Sequence, residues 1–314
     1  MEKLENITII GAGLMGCGIA QVFACSGHPV WLVDTEEEIL KLAKEQVIKN
    51  LKQLVQHGIS FSNKIEKIVE QISTATEMAR ACEGCDFVIE AVYEKLDLKQ
   101  QVFADLDRLC PPEAILCSNT SVMAITEIAE RASKRERILG THWWNPPYLI
   151  PLVEVVRAEE TADRCIDATY DLLARVGKHP VRVHKDVPGF VGNRLQHALW
   201  REAFAIIDDG VCDPATVDEV VCNGFGLRLP ILGPVENADM VGLDLTLSIH
   251  DYILKHLNAN PTPSTTLRSR VEQNQLGFKT GKGFQEWSDA EVAASRERLT
   301  NYLMKVISQE KSRS

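Results

Sequence analysis

The sequence predicts an α/β chain, with an N-terminal doubly wound, mainly parallel sheet (residues 1–187) followed by an all-helical C-terminal domain (residues 188–314). Three observations carry that prediction. The strand-forming run Ile7–Ile10 leads straight into Gly11-Ala12-Gly13-Leu14-Met15-Gly16 and then into an apolar stretch that can continue as a helix, the strand–turn–helix start of a βαβ unit. Short apolar runs without polar alternation recur at Val30–Val33, Phe87–Val92, Ile115–Cys117 and Leu152–Val156, the pattern of strands covered on both faces. After Lys185-Asp186-Val187-Pro188-Gly189-Phe190 the exchange of strand and helix patterns stops.

In the opening turn each glycine has its own physical role. Gly11 permits the tight turn out of the strand, Gly13 lets a phosphate approach bare backbone, and Gly16 lets helix and strand pack closely, with Leu14 and Met15 between them. A dinucleotide pyrophosphate then rests on the helix N-terminus, where free N–H groups and the helix dipole favour negative charge. Asp34 ends the second strand 18 residues past Gly16, where an acidic side chain accepts hydrogen bonds from an adenosine ribose. The residues after it, Thr35-Glu36-Glu37-Glu38, would repel a 2′-phosphate. The expected architecture is therefore a Rossmann-type domain that binds NAD rather than NADP.

Composition narrows the partners. A net charge of −10 over 314 residues argues against nucleic acid or an anionic membrane, both of which reward basic surfaces. Hydrophobic content of 45% and charged content of 25% are ordinary for a globular protein. No apolar run reaches the length of about 18 residues that a membrane span needs. Residues 1–10 lead directly into a strand, leaving no room for a signal peptide, so a cytoplasmic protein is expected. The nine cysteines are an odd number without disulfide-like spacing; Cys82-Glu83-Gly84-Cys85 lacks a second pair and a strand-to-helix context, and reads as packing. No metal site is expected.

In chain order, amphipathic periodicity predicts a helix over Glu36–Gln56 and a shorter one over Lys64–Gln71. The strand Phe87–Val92 carries Glu90 near its carboxyl end, and Lys95 follows in the loop or first helical turn. Ligands of a doubly wound sheet bind outside those strand ends, so both are candidates for the cofactor pocket; a surface Glu and Lys is the alternative. A helix over Asp97–Leu109 leads to strand Ile115–Cys117, which runs out into Ser118-Asn119-Thr120-Ser121. Those residues either cap a helix over Val122–Arg131 or face nicotinamide and substrate. His142 follows a strand end, and Glu154 sits inside the apolar strand Leu152–Val156. A carboxylate buried there is costly unless paired. A His–Glu pair beside a dinucleotide suits hydride transfer, the Glu orienting the imidazole while its other nitrogen takes a proton from an alcohol. A helix over Thr161–Val176 and a strand over Pro180–His184 close the first domain. Helices follow over Val191–Asp209, Pro214–Cys222, Val235–His256 and Ala290–Ile307, the third long enough to suggest a dimer interface.

From about residue 5 to residue 287 the chain resembles the L-3-hydroxyacyl-CoA dehydrogenase family. The matching stretches are Gly11–Gly16, Ser118-Asn119-Thr120-Ser121, His142 with Asn145-Pro146, Leu152-Val153-Glu154-Val155, Pro188–Arg194, Gly233-Pro234 with Val241–Asp244, and Lys279–Phe284. The resemblance implies that His142 is the general base and Glu154 its partner, and that Ser121 and Asn193 hold the substrate oxygens. It further implies that Glu90, Lys95 and Asn119 line the nicotinamide and its ribose, and that the protein dimerises through the helical domain. It is closest to members acting on free acids: λ-crystallin/L-gulonate 3-dehydrogenase, carnitine 3-dehydrogenase and a pyridine-carboxylate dehydrogenase of vitamin B6 breakdown. The loop Gly224–Pro234 has their longer form and places Arg228 to clamp a carboxylate. Pro151 stands where acyl-CoA members usually carry Lys. Residues 36–71 lack those members' dense lysine cluster. Trp143 and Trp144 either add aromatic surface beside the base or belong to the core. The expected substrate is a small carboxylate-bearing 3-hydroxy acid. A 3-hydroxyacyl-CoA such as 3-hydroxybutyryl-CoA and a non-enzymatic, crystallin-like NADH-binding role are the alternatives.

Overall fold

The computed structural model describes residues 4–311 except 60 and 62. Eight strands form one sheet in the order β3-β2-β1-β4-β5-β6-β7-β8. They are β1 (Ile7–Ile10), β2 (Val30–Val33), β3 (Ile72–Ala75), β4 (Phe87–Glu90), β5 (Ile115–Ser118), β6 (Ile138–Trp143), β7 (Leu152–Val156) and β8 (His179–Val183). All neighbours pair in parallel except β6 and β7, which are antiparallel. The first five strands are four residues each, and all but the edge strand β3 are mostly apolar and buried, as a sheet covered on both faces demands.

Helices α1 (Leu14–Cys25), α2 (Glu37–Gln56), α3 (Ile65–Glu70), α4 (Met78–Cys82), α5 (Leu96–Leu109), α6 (Ile125–Ile128) and α7 (Asp163–Arg175) connect these strands. Two apolar clusters lie against the sheet. One joins α1, α2 and α7 to the strands; the other gathers α4, α5 and α6, and it takes in Cys82, Cys85 and Cys110. In α2 the side chains of Leu40, Ala43, Val47, Leu51 and Leu54 are buried, one apolar stripe of a 3.6-residue period. The widest crossover reverses strand order between β1 and β4, which opens the crevice at their carboxyl ends.

Differences from the sequence expectations have local causes. Strand β3 and helix α4 lay hidden in a polar stretch, Ile72-Ser73-Thr74-Ala75, and a five-residue helix too short to show periodicity. The helix expected over Val122–Arg131 shrinks to α6 with a 3-10 turn at Ala129–Arg131, because Glu94 and Thr120 hold the preceding loop. His142 lies inside β6 rather than past its end.

The chain folds into two compact units, Met1–Arg194 with Thr300–Ser314 and Leu195–Leu299; it passes between them within α8 (Gly192–Asp208) and again within α13 (Asp289–Lys311). The second unit contains α9 (Pro214–Asn223), α10 (Pro234–Val241), α11 (Leu243–Ile253) and α12 (Thr265–Glu272). Asp213 caps α9 by accepting the Thr216 N–H at 2.8 Å, with Pro214 in the first turn. The long helix expected over Val235–His256 is split by Gly242, whose φ of +103° no L-residue adopts readily. Of this unit's apolar side chains, only Ala205 and Val292 are buried. Among the described residues no helix is long and apolar enough to cross a membrane.

Candidate active site

The glycine turn has the shape a dinucleotide needs. Gly11 sits at φ +100°, and a Cβ there would lie 2.6 Å from the Ala91 carbonyl oxygen. A Cβ at Gly16 would lie 1.8 Å from the Gly11 oxygen, so helix and strand touch backbone to backbone. At Gly13 a Cβ would meet nothing within 4 Å, which leaves open space over the start of α1. No side chain caps that helix and its first turn carries no acid, so its amides and dipole are free for a phosphate. Leu14 is exposed beside them and Met15 is half-buried. Asp34 follows β2 and accepts the Ala12 N–H at 2.8 Å through Oδ2, bracing the turn with one carboxylate oxygen. These residues fit a bound NAD.

Antiparallel pairing of β6 with β7 sets His142 directly opposite Glu154. The Glu154 Oε2 lies 2.7 Å from His142 Nδ1, and both residues are buried. The other carboxylate oxygen accepts the N–H groups of Val191 and Gly192 at 3.0 and 3.1 Å. Burial pushes the Glu154 carboxyl up, but the bonds from His142 and the two amides outweigh it and hold it below its ordinary value. A carboxylate accepts only, so Nδ1 carries the hydrogen and Nε2 presents a lone pair. The Asn193 amide lies 3.4 Å from Nε2 and donates to the Ser121 carbonyl at 2.7 Å. His142 is flanked by Trp144 and Phe190, with ring centroids 5.1 and 5.8 Å away. Trp143 is buried against Phe23, and Trp144 packs so closely on Gly192 that a Cβ there would lie 2.4 Å from its ring. The structure thus brings His142, Glu154, Asn193 and Ser121 together.

The loops after β4 and β5 are bound by a buried ion network. Glu90 is completely buried; Lys99 and Ser118 donate to its carboxylate at 2.7 Å and the Val92 N–H at 2.8 Å. Its oxygens are engaged within the protein, so the alternative of a surface residue does not hold for Glu90. Lys95 is exposed and starts α5. The residues that the sequence reading passed over are Glu94 and Lys99. Lys99 also pairs with Glu94 at 3.2 Å. Glu94 in turn accepts the Thr120 hydroxyl and the Ser121 N–H, the latter at 2.9 Å. Burial raises the Glu94 carboxyl, while Thr120, Lys99 and the Ser121 amide lower it further, leaving it below its ordinary value. One signal for Lys99 was present: it shares a helical face with Phe103 and Leu106, where a lysine is out of place unless paired. Asn119 accepts the Trp143 N–H at 3.0 Å through Oδ1, tying the end of β5 to the strand that carries His142. Arg228 belongs to the second unit, where it is exposed and makes no ion pair with a described residue.

Known proteins resemble this chain along most of its length. Family models match the chain over residues 6–187 (3-hydroxyacyl-CoA dehydrogenase, NAD binding domain) and 189–287 (3-hydroxyacyl-CoA dehydrogenase, C-terminal domain). Rat mitochondrial hydroxyacyl-coenzyme A dehydrogenase is 36% identical over 291 residues, covering 90% of this chain and 91% of that protein. The 5-formyl-3-hydroxy-2-methylpyridine 4-carboxylate 5-dehydrogenase of Mesorhizobium japonicum is 34% identical over 280 residues, 89% of this chain and 90% of the other. A crystal structure of an enzyme of that name, described as an NAD+-dependent dismutase, superposes with a TM-score of 0.90 at 32% identity over 97% of both chains. The (S)-3-hydroxybutyryl-CoA dehydrogenase of Ralstonia eutropha, also 32% identical, gives a TM-score of 0.76 over 91% of this chain and 100% of its own.

Proposed function

The chain belongs to the 3-hydroxyacyl-CoA dehydrogenase family, as an NAD-dependent dehydrogenase acting on hydroxyl groups, and from that premise we propose that it oxidises the hydroxyl of a small free 3-hydroxy acid with His142 as general base. The observation that carries the chemistry is the buried His142–Glu154 pair, with the imidazole's other nitrogen, Nε2, beside Asn193. Bound NAD supplies the hydride acceptor, cradled by Gly11, Gly13, Leu14, Met15 and Gly16, with Asp34 on the adenosine ribose. His142 Nε2 takes the hydroxyl proton, and Glu154 stabilises the imidazolium that results. Asn193 and Ser121 hold the substrate oxygen against Nε2. Asn119, Glu90 and Lys95 line the nicotinamide side, and Glu94 and Lys99 help order the loop there, since Glu94 holds Ser121 and Lys99 pairs with both glutamates.

The free-acid reading is supported by the longer loop around Arg228 and by the TM-score of 0.90 against a pyridine-carboxylate dehydrogenase. Sequence identity to an acyl-CoA enzyme is slightly higher, at 36% against 34%, so a CoA thioester is the second reading. A panel of free hydroxy acids run against acetoacetyl-CoA, read as NADH absorbance, separates the two. Under the first reading Arg228→Ala raises KM for the acid about 10- to 100-fold, the worth of one charged hydrogen bond, and His142→Ala lowers kcat about 10²- to 10⁴-fold with NADH binding retained. An unchanged KM in the Arg228 variant refutes the clamp. Turnover of any substrate dismisses a purely structural, crystallin-like role.

The exposed apolar faces of the second unit support a homodimer through that unit. The nine cysteines, none in a disulfide, suit a reducing compartment such as the cytoplasm.

A further inference from the structure

A cavity of about 360 Å³ lies within the first unit, apart from the groups just described. Its walls are mostly apolar, with Val22 from α1, Leu54 from α2, Phe61, and Tyr148 and Leu149 from the β6–β7 connection. None of His142, Glu154, Ser121, Asn193 or the glycine turn lines it. Its one cationic wall is Lys178, in the turn between α7 and β8.

Among the described residues Lys178 is a cation without an anion. Its Nζ donates to the carbonyls of Pro147 and Ile150, the second at 2.8 Å, and lies 5.3 Å from the centre of the Trp143 ring. No described carboxylate pairs with it. Burial pulls its pKa down from 10.5 to about 8, the direction expected of an ammonium whose charge lacks compensation. An ammonium has three N–H donors, and two are engaged. The volume falls in the range of small-molecule pockets, which are mostly apolar with a few convergent polar groups.

We propose that this cavity is a second ligand site, taking a small amphipathic monocarboxylate whose chain lies on the apolar walls and whose carboxylate pairs with Lys178. A single cation among apolar walls matches a monoanion; a phosphate dianion would need further donors. The site touches the catalytic strands through one connection. Pro147 and Ile150 lie between β6 and β7, the strands that set His142 against Glu154, and a Cβ at Gly18 of α1 would lie 2.5 Å from the Pro147 ring. A carboxylate on Lys178 keeps it charged and firms its hold on that connection.

Calorimetric titration with octanoate tests the site, because it is an amphipathic monocarboxylate without a hydroxyl to oxidise. The wild type and His142→Ala bind one octanoate per chain with equal affinity. Lys178→Met removes the charge and Val22→Phe fills the cavity, and each weakens binding at least tenfold while NADH affinity stays within twofold. Should Lys178→Met fail to fold, Val22→Phe decides the question alone. Octanoate binding that survives both substitutions, that vanishes in His142→Ala, or that is absent from the wild type overturns the proposal. Because the His142 variant is a binding control, failure here leaves the dehydrogenase reading standing.

Discussion

One hydrogen bond decides what His142 can do. With Glu154 on Nδ1 at 2.7 Å, the lone pair of the neutral ring falls on Nε2, and in the reaction we propose the imidazolium would have a counter-charge behind it. Glu154→Gln removes the charge, and its amide can donate to the ring as readily as accept, so kcat falls about 10²-fold or more while NADH affinity is retained; stopped-flow and fluorescence titration measure the two. The same bond makes stability depend on pH. Because the Glu154 carboxyl is held below its ordinary value, its contribution is complete above the unfolded pKa of about 4.3 and is lost as pH falls through the lower folded value. Urea midpoints of wild type and Glu154→Gln therefore converge as pH falls below about 4.3. Gly192 is equally constrained: an added methyl would press on Trp144 at 2.4 Å and sit 3.3 Å from Glu154 Oε2. Gly192→Ala costs about 1–3 kcal/mol of stability, seen by thermal melting, and lowers kcat by disturbing the pair. His142 and Glu154 were legible in the sequence because a carboxylate in an apolar strand calls for a partner. Glu94 was not, since it acts through contacts with another loop; Lys99 showed only as a lysine on an apolar helical face, and for Trp144 the sequence left a place beside the base and a place in the core equally open.

At the scale of elements, the strand–glycine–helix start can be taken apart by two substitutions with opposite profiles. A side chain at Gly16 collides with the Gly11 carbonyl, whereas one at Gly13 enters open space. Gly16→Ala therefore destabilises the fold itself, lowering the melting temperature by several degrees for a loss of about 2 kcal/mol. Gly13→Ala melts like the wild type but loses NADH affinity about 10-fold or more, because its methyl fills the phosphate's place; a Gly13 variant with normal affinity would count against the pyrophosphate at that turn. The buried strands were readable from their unbroken apolar runs. Strand β3 was not, being polar on one side and at the sheet edge, where pairing with β2 rather than composition makes it a strand. Likewise the break at Gly242 follows from one residue's φ, which periodicity over Val235–His256 cannot register.

At the scale of the whole molecule, the second unit poses a question of stability. Ile231, Val235, Leu243, Leu247 and Tyr252 are all more than 60% exposed, a concentration of apolar surface that a monomer rarely leaves in water. A homodimer covering these faces explains it. Light scattering then gives twice the 35.0 kDa chain mass, and the melting temperature rises by about 5 °C over a hundredfold increase in concentration. A monomeric mass with a concentration-independent melt refutes the dimer.

By itself the sequence determined the class of fold, NAD as the cofactor, and the pairing of His142 with Glu154. These rest on local signals: an apolar run, a glycine spacing, a charge where none is cheap. Only the tertiary structure decided which charges meet. Glu90 is closed off by Lys99 and Ser118, Glu94 takes hold of Ser121, and Lys178 is left beside a cavity with no counter-ion among the described residues. Burial and pairing belong to segments brought together from distant parts of the chain, and no spacing along it records them.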